Sequence, residues 1–399
     1  MSESNRKHRD HRELGQELDL FSFHEIAPGA PFWHPKGMII FRELEKKARE
    51  INDSEGYDEI STPIMVKKDV FEKSGHWEHY RDNMFWFNNP VDENETLVIK
   101  PMNCPESTYI YNSKIRSYRD LPLRLAEIGL LHRNELSGTL GGLFRVRQIT
   151  MDDAHIYVRP DQAEAEILKV VRTISEFYKG LGFETEYYLA TRPEKALGEQ
   201  KEWELAEKAL EDGLKRSKIK YKIAKGEGAF YGPKIEAHIK DSQERDWQLG
   251  TAQLDLVMLP EKFDLTYIDE MGQKKKPWVI HRAIFGSFER LVGILLEHFD
   301  GALPFWLSPV QAAVLTINDK VLDYAETITA QLKKNNIRAE LNARNETVAK
   351  KIRETEIQRI PYLLVIGEQE SKENKVAVRE RDKGDLGEKT IDEFLKMIK

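Results

Sequence analysis

The stretch LHRNELSGTLGGLFRVRQITMDDAH, Leu131 to His155, decides how the chain folds. It reads as a hairpin: a strand ending at Arg133-Asn134-Glu135, a turn over Leu136 to Gly142, and a returning strand. Gly138, Gly141 and Gly142 permit the positive φ that such a turn requires. Side chains alternate faces along an extended strand. Arg145, Arg147, Ile149, Met151, Asp153 and His155 are therefore expected on one face. Two arginines, a carboxylate and an imidazole make a poor apolar core. They suit either a solvated sheet face or the lining of a pocket for an anion, an ammonium group or a metal.

Length and composition bound what such a face can serve. At 399 residues, two domains are expected, or three. A hydrophobic content of 40% with mean hydropathy -0.58 fits a soluble chain with an adequate core. No apolar run reaches the roughly 18–20 residues that span a bilayer. The opening MSESNRKHRDHRELG is too polar for a signal peptide, and residues 1–20 read as a polar lead-in. A cytoplasmic location is expected. The single cysteine, Cys104, excludes an intrachain disulfide and suits a reducing compartment. The net charge of -7 gives no general attraction to nucleic acid, so any RNA site must be a local patch.

Along the chain, Pro28, Gly29, Pro31 and Pro35 mark an irregular segment with Phe32 and Trp33. Phe41, Leu44, Ala48 and Ile51 then share one face of a helix expected over 38–52. Gly56-Tyr57 ends it, and a strand leads to Pro63. KSGHWEHYRDNMFWF gathers His76, Trp77, His79, Tyr80 and Trp86, an aromatic cluster that core packing alone would explain. KPMNCP holds the cysteine, and a buried free cysteine is ordinarily a small inert hydrophobe. Helices are expected around Ile167–Leu181 and Trp203–Leu214, with GEGAFYGPKIEAHI following over 226–239. WQLGTAQLDLVM, 247–258, alternates as a strand does. HRAIFGSFERLVGILLEHF, 281–299, reads as one helix that is apolar nearly all round and so buried. Within it Arg290 needs a partner, either a bound phosphate or a structural carboxylate. A break falls at Pro304–Pro309. Beyond it strands at 310–317, 362–366 and 376–378 alternate with helices, the pattern of a mixed α/β domain.

HRNE, the glycine loop, FRVR and DDAH together resemble motif 2 of the class II aminoacyl-tRNA synthetases, in the form found in threonyl-tRNA synthetases. The helix, Gly56-Tyr57, strand and Pro63 resemble motif 1; Gly286, Ser287 and Arg290 fit motif 3. The resemblance covers essentially the whole chain. It implies an α/β (α+β) architecture: a class II antiparallel sheet flanked by helices over 1–304, and a mixed α/β anticodon-binding domain over 305–399. It implies a threonine–tRNA ligase that activates L-threonine with ATP and transfers it to the 3′-hydroxyl of tRNA(Thr). Arg133 is implied at the α-phosphate, Arg145 and Arg290 at the β,γ-phosphates with Mg2+, and Glu135 on the adenine side. Gln248, Gln253 and Ser287 complete the implied ATP site. Met102, Asp153, Tyr231 and Gln253 are implied around threonine, Lys234 near the reacting atoms, and His76 near the terminal adenosine during transfer. Cys104, His155 and His281 are implied as ligands of one Zn2+ per subunit. One thiolate and two imidazoles would leave a coordination position open. Asn345, Arg353, Glu370 and Arg379 match residues that read the anticodon, and motif 1 implies a homodimer.

The family pattern is not kept throughout. The commoner Cys-Pro-Gly-His reads Cys104-Pro105-Glu106-Ser107 here. Ile149 stands where a phenylalanine stacks on adenine, Met151 replaces a glutamine near threonine, and Leu131 stands where cysteine often precedes His132. The catalytic region opens almost at Met1, so a form lacking the N-terminal editing region is expected. Such a form mischarges serine or depends on a separate editing factor. Three other readings stay open: another class IIa synthetase, a synthetase-like RNA-binding or regulatory protein without activation activity, and a ligase serving a carrier protein.

Overall fold

Leu123–His132 and Gln148–Val158 pair antiparallel from Leu123↔Tyr157 to His132↔Gln148, and this hairpin lies inside an eight-stranded sheet. Its strands are shorter than the sequence suggests, because the ladder stops at His132 and resumes only at Gln148. Arg133, Glu135, Arg145 and Arg147 thus belong to the connection and not to the strands. The connection tightens into two short 3-10 turns, Ser137–Thr139 and Gly142–Phe144. Of the three glycines only Gly142 takes a positive φ, +57°. Arg145 lines a cleft together with Ile149 and Met151, and Arg147 is not part of that lining. Its main-chain N–H donates to Gly29 O at 2.7 Å, while its guanidinium donates to Glu135 O at 2.9 Å and to Ser137 Oγ at 3.2 Å. It staples the loop. The alternation expected from Arg145 onward holds only within the strand, for Ile149, Met151, Asp153 and His155.

The structure is a computed structural model that describes residues 9–92 and 94–398. Trp278–Ala283 lies antiparallel beside Gln148–Val158 with His281 opposite His155. Asp246–Asp255 follows with Gln253 opposite His281, and then Lys234–Lys240 with Lys234 opposite Gln253. Thr185–Ala190 and Tyr221–Ala224 finish that side, and Asp58–Glu59 closes the other, parallel to Leu123–His132. Ala163–Gly180 buries Ile167, Val170, Ile174 and Phe177, and Gln200–Ser217 buries Trp203, Leu210 and Leu214. Burial of one stripe of each amphipathic helix is what holds it.

The single helix expected over 281–299 is instead a strand, a turn and a helix. Trp278–Ala283 is extended, Gly286 turns the chain at φ +65°, and the helix is Phe288–His298. A continuous apolar run does not distinguish a buried strand from a buried helix, which is why the sequence misleads here. Gly286 is required twice over: its φ is left-handed, and a Cβ there would lie 3.0 Å from Leu249 O. The turn is clamped by Asp152, which accepts from Ile284 N at 2.8 Å, Phe285 N at 3.1 Å and Arg282 Nη1 at 3.0 Å. Arg282 is 1% exposed; it also donates to Asn52 Oδ1, and its guanidinium lies 4.6 Å from the Tyr57 ring centre.

By its internal contacts the chain divides into two units: Phe23–Pro31 with Glu45–Ile294, and the described residues up to Ser22 with Phe32–Leu44 and those from Leu295 on. The second unit carries a five-stranded sheet in the order Ala339–Asn342, Ala312–Thr316, Tyr362–Ile366, Val376–Glu380, Gly384–Lys389. The first three strands are parallel and the last two antiparallel. Val314, Ile328, Leu332, Leu364, Val378 and Phe394 fill one of its cores. Gly384–Lys389 and the helix Glu368–Glu373 were not legible, because GDLGEK and EQESKE show no apolar alternation. The first eight residues of the polar lead-in fall outside the described residues. Its remainder forms the helix His11–Glu17, N-capped by Asp10 accepting from Arg12 N at 2.7 Å. Among the described residues no helix is long and apolar enough to cross a membrane.

Removing one partner of a buried ion pair leaves the other charge uncompensated. Arg282→Leu is therefore expected to destabilise the fold by about 3–5 kcal/mol, read from the urea midpoint. A loss below ~1 kcal/mol would place the pair with exposed ones.

Candidate functional site

The loop after the first hairpin strand, the returning strand, Asp246–Asp255 and the start of Phe288–His298 enclose a cleft. Arg133, Arg145 and Arg290 line it together with Glu135, Ile149 and Met151. Gln248, Thr251 and Gln253 line it from the neighbouring strand. A register shift makes this possible. Ala237 faces Gly250 but His238 faces Gln248, so Leu249 is an extra residue, and Gln248 and Thr251 reach the same cleft although three positions apart.

The cleft holds more positive than negative charge. Arg145 Nε donates to Glu135 Oε2 at 2.9 Å, and Arg133 Nε donates to Pro101 O at 3.2 Å. Arg290 Nε has only a carbonyl, Phe144 O, at 3.1 Å. Among the described residues Arg290 has no carboxylate partner within ion-pair distance. Burial and then the like charges of Arg133 and Arg145 pull its guanidinium below its ordinary range, with Glu135 opposing them. Three guanidiniums sharing one carboxylate suit a polyanion. On the same wall Ser287 Oγ accepts from Arg290 N at 3.1 Å, and burial pushes the neighbouring Glu289 carboxyl up to about 7.

Beside the cleft, three residues remote in sequence converge. The ligand atoms of Cys104, His155 and His281 all lie within 4.8 Å of one another, and all three side chains are buried. The two imidazole rings meet edge-on with centres 4.9 Å apart. Among the described residues His155 Nε2 and His281 Nδ1 are buried without a hydrogen-bond partner. Orphaned buried nitrogens are rare, and a cation shared with the sulfur would satisfy both. The donor set therefore fits a metal, and one sulfur with two nitrogens fits zinc. Burial and nearby carboxylates hold the Cys104 thiol well up, and burial holds His155 well down, but a bound cation favours the thiolate. His281 Nε2 stands 3.4 Å from Asp255 Oδ2. Asp255 is itself fixed, accepting from Val257 N, Met258 N and Leu259 N at 2.7–2.9 Å.

The remaining candidates sit around these two groups. Tyr231 OH donates to Gln253 Oε1 at 2.5 Å, and its ring lies 5.1 Å from that of His281. Gln253 thus joins cleft to triad. Asp153 accepts from Asn103 Nδ2 at 3.1 Å, and burial raises its carboxyl to about 6. Met102 packs half-buried against the cores on either side. Lys234 Nζ is 2.5 Å from Glu236 Oε1. His76 is buried among Phe71, Phe230 and Tyr231, with Nδ1 2.8 Å from Ser74 Oγ. Glu106, one of the departures, is 5% exposed with neither carboxylate oxygen partnered among the described residues, and burial lifts it to about 8. Asn103, Thr251, Asp255 and Glu289 are not found from sequence. Nothing in their spacing sets them apart from ordinary strand and helix polar residues.

The other four candidates belong to the second unit. Asn345 and Arg353 are exposed, and Arg379 is half-buried opposite Leu363. Glu370 is engaged within its own helix, where its Oε2 accepts from Gly367 N at 2.8 Å and caps Glu368–Glu373.

The description "tRNA synthetase class II core domain (G, H, P, S and T)" matches residues 85–299, and "Anticodon binding domain" matches 311–399. The threonine–tRNA ligase of Carboxydothermus hydrogenoformans is 52% identical over 392 residues, 98% of this chain and 61% of that protein. That of Caldanaerobacter subterraneus is 52% identical over 98% of this chain and 60% of its own length. The chain thus spans about three fifths of the curated relatives it matches. A crystal structure of the RNA binding domain of threonyl-tRNA synthetase from Cryptosporidium parvum superposes with TM-score 0.92 at 40% identity, covering 98% of this chain and 97% of that one.

Burial first, and then the fields of His281 and His79, bring the His76 imidazole down to about 3. His76 is expected to stay neutral, its ring 15N shifts flat from pH 8 to about 4, where a free imidazole titrates near 6.5. Its folded value lies below the unfolded one, so its burial costs nothing above about 6.5. Stability falls as pH drops from there toward 3, and His76→Phe removes that component. A ring titration centred near 6.5 would contradict the burial.

Proposed function

The chain belongs to the class II aminoacyl-tRNA synthetases, in the threonyl branch, and from that premise we propose that it acts as a threonine–tRNA ligase. The observation that carries the reading is Arg290, a largely buried guanidinium without a carboxylate partner among the described residues, in a cleft joined through Gln253 to a Cys104/His155/His281 cluster. We assign the chemistry to residues 1–304 and anticodon recognition to 305–399.

In the first step a carboxylate oxygen of L-threonine attacks the α-phosphorus of ATP and pyrophosphate leaves. Little covalent help is needed; positioning and charge neutralisation supply the rate. Arg133 serves the α-phosphate, where charge builds during attack. Arg145 and Arg290 hold the β,γ-phosphates with Mg2+, and Ser287 and Gln248 border them. Glu135 takes the adenine side while it steadies Arg145. In the second step the 3′-hydroxyl of tRNA(Thr) attacks the threonyl carbonyl and AMP leaves. We assign His76, neutral and walled by aromatic rings beside Tyr231, to the handling of that proton, and Lys234, opposite Gln253 on the next strand, to the reacting atoms.

Cys104, His155 and His281 would hold one Zn2+, which would supply a Lewis acid able to bind an amino and a hydroxyl group. Asp153, buried and steadied by Asn103, accepts the hydrogen bond of threonine's hydroxyl. Tyr231, Gln253 and Met102 shape the remainder of that pocket. An apolar pocket alone separates a hydroxyl from a methyl by only about 10²-fold, so valine is rejected chiefly by these polar groups. Serine keeps the hydroxyl and differs by one methyl, worth roughly 1–3 kcal/mol. We place correction of serine in an editing activity outside these groups. The helix Pro35–Glu55 is our candidate for the homodimer contact, and Asn345, Arg353, Glu370 and Arg379 for the anticodon.

Metal analysis and ATP–pyrophosphate exchange test the reading. The protein is expected to carry zinc and to exchange in the order threonine, serine, valine. Cys104→Ala loses the metal and the separation of threonine from valine. A metal-free Cys104→Ala protein that keeps full threonine selectivity would falsify the metal's role. Exchange with proline in place of threonine would move the chain to another class II branch. No exchange with any amino acid would favour a synthetase-like RNA-binding protein.

A further inference from the structure

The two walls of the cleft meet at a carboxylate that no role above uses. Glu289 lies in the first turn of Phe288–His298, one residue before Arg290, and is 1% exposed. Its two oxygens each lie 3.0 Å from Thr150 N, and Ser287 Oγ donates to Oε2 at 3.2 Å. Ser287 Oγ in turn accepts from Arg290 N at 3.1 Å. Thr150 sits between Ile149 and Met151 on one wall, while Ser287 and Arg290 belong to the other. Met151 and Ser287 also form an isolated antiparallel bridge between the walls.

All the donors that Glu289 meets are neutral, and no lysine, arginine or histidine pairs with it among the described residues. A buried carboxylate without a cation is costly. Glutamine would fill the same volume and keep one acceptor at lower cost. A carboxylate alone offers two equivalent oxygens, so it accepts from an amide on one wall and a hydroxyl on the other without turning a donor toward either. The helix N-terminus beneath it supplies the partial positive charge that makes the ionised form tolerable.

We propose that Glu289 is a positioning residue for the nucleotide triphosphate, spacing the Ile149–Met151 wall from the Arg290 guanidinium by holding Thr150 N–H and Ser287 O–H at once. The inference rests on the cleft being the ATP site. Glu289 does not touch the nucleotide; it acts through Ser287, Arg290 and the strand.

ATP–pyrophosphate exchange by the full chain tests this in wild type, Glu289→Gln, Ser287→Ala and the double variant. Loss of a hydrogen bond to a charged acceptor predicts an ATP KM raised about 10- to 100-fold in Glu289→Gln. The threonine KM and the melting temperature without ATP are expected to stay near wild type. Because both residues act through one contact, the double variant should fall short of the product of the single effects. Should Glu289→Gln not fold, Glu289→Asp, which keeps the charge but draws the oxygens back from Thr150 N and Ser287 Oγ, must still raise the ATP KM selectively. An unchanged ATP KM overturns the proposal. So do equal rises in both KM values with a lowered melting temperature, which mark a purely structural residue. A wild type that does not bind ATP refutes the reading of the cleft instead.

Discussion

The register in which Trp278–Ala283 lies against Gln148–Val158 is the constraint on which the rest depends. It sets His281 opposite His155 and brings Ser287 onto Met151. A slip of one residue would turn every side chain of the strand to the other face. Ile280 or Arg282 would then stand where His281 does, and the triad and one wall of the cleft would be lost together. Asp152 and Arg282 hold the register from within. Desolvation cancels much of the Coulomb gain of so deeply buried a pair, so its consequence is chiefly geometric. Asp152 gathers the guanidinium and two main-chain amides of the turn, and its own N–H donates to Gly286 O at 3.2 Å.

One sheet thereby carries two sites of opposite electrostatic character. In the cleft positive charge is in excess and Arg290 is largely out of water, so the low dielectric that strains Arg290 in isolation strengthens its attraction to an anion. In the triad burial holds the Cys104 thiol and the His155 imidazole neutral, and among the described residues two imidazole nitrogens lack partners. Both arrangements are poor in stability and good in selectivity: the cleft is satisfied by an anion, and the orphaned nitrogens of the triad by a cation. Gln253 is where they touch: it lines the cleft, receives the Tyr231 hydroxyl and lies opposite His281 in register.

The sequence carries unequal amounts of this. Alternation along Ile149, Met151, Asp153 and His155 is legible because half-buried strands write it directly. Arg145 and Arg147 continue the same two-residue spacing by coincidence, through a loop whose conformation comes from Gly142 and from hydrogen bonds to Glu135. The triad cannot be read from spacing, because its members come from a helix start and two strands that only the folded sheet brings together; the motif resemblance is what points to it. The apolar run around His281 reads as helix, and its true setting depends on Gly286 turning over Leu249 O. Glu289 leaves no trace in sequence, since an acidic residue in a helix's first turn is commonplace and its burial is a tertiary fact.

The departures from the family pattern gain meaning from the same geometry. On the ligase reading, Ile149 takes the place of an aromatic ring against the adenine. Stacking of a base on an aromatic side chain is worth about 1–3 kcal/mol, and a branched aliphatic offers apolar contact without the π face. The phosphate side is undiminished: Arg133, Arg145 and Arg290 all line the cleft, and Glu135 accompanies them. Nucleotide recognition then shifts from the base toward the phosphates, where contacts strengthen as charge builds at the α-phosphorus. Binding realised more in the transition state than in the ground state favours turnover over ground-state affinity. A weaker hold on adenine is thus compatible with undiminished chemistry, provided the arginines keep their spacing, the condition proposed to depend on Glu289.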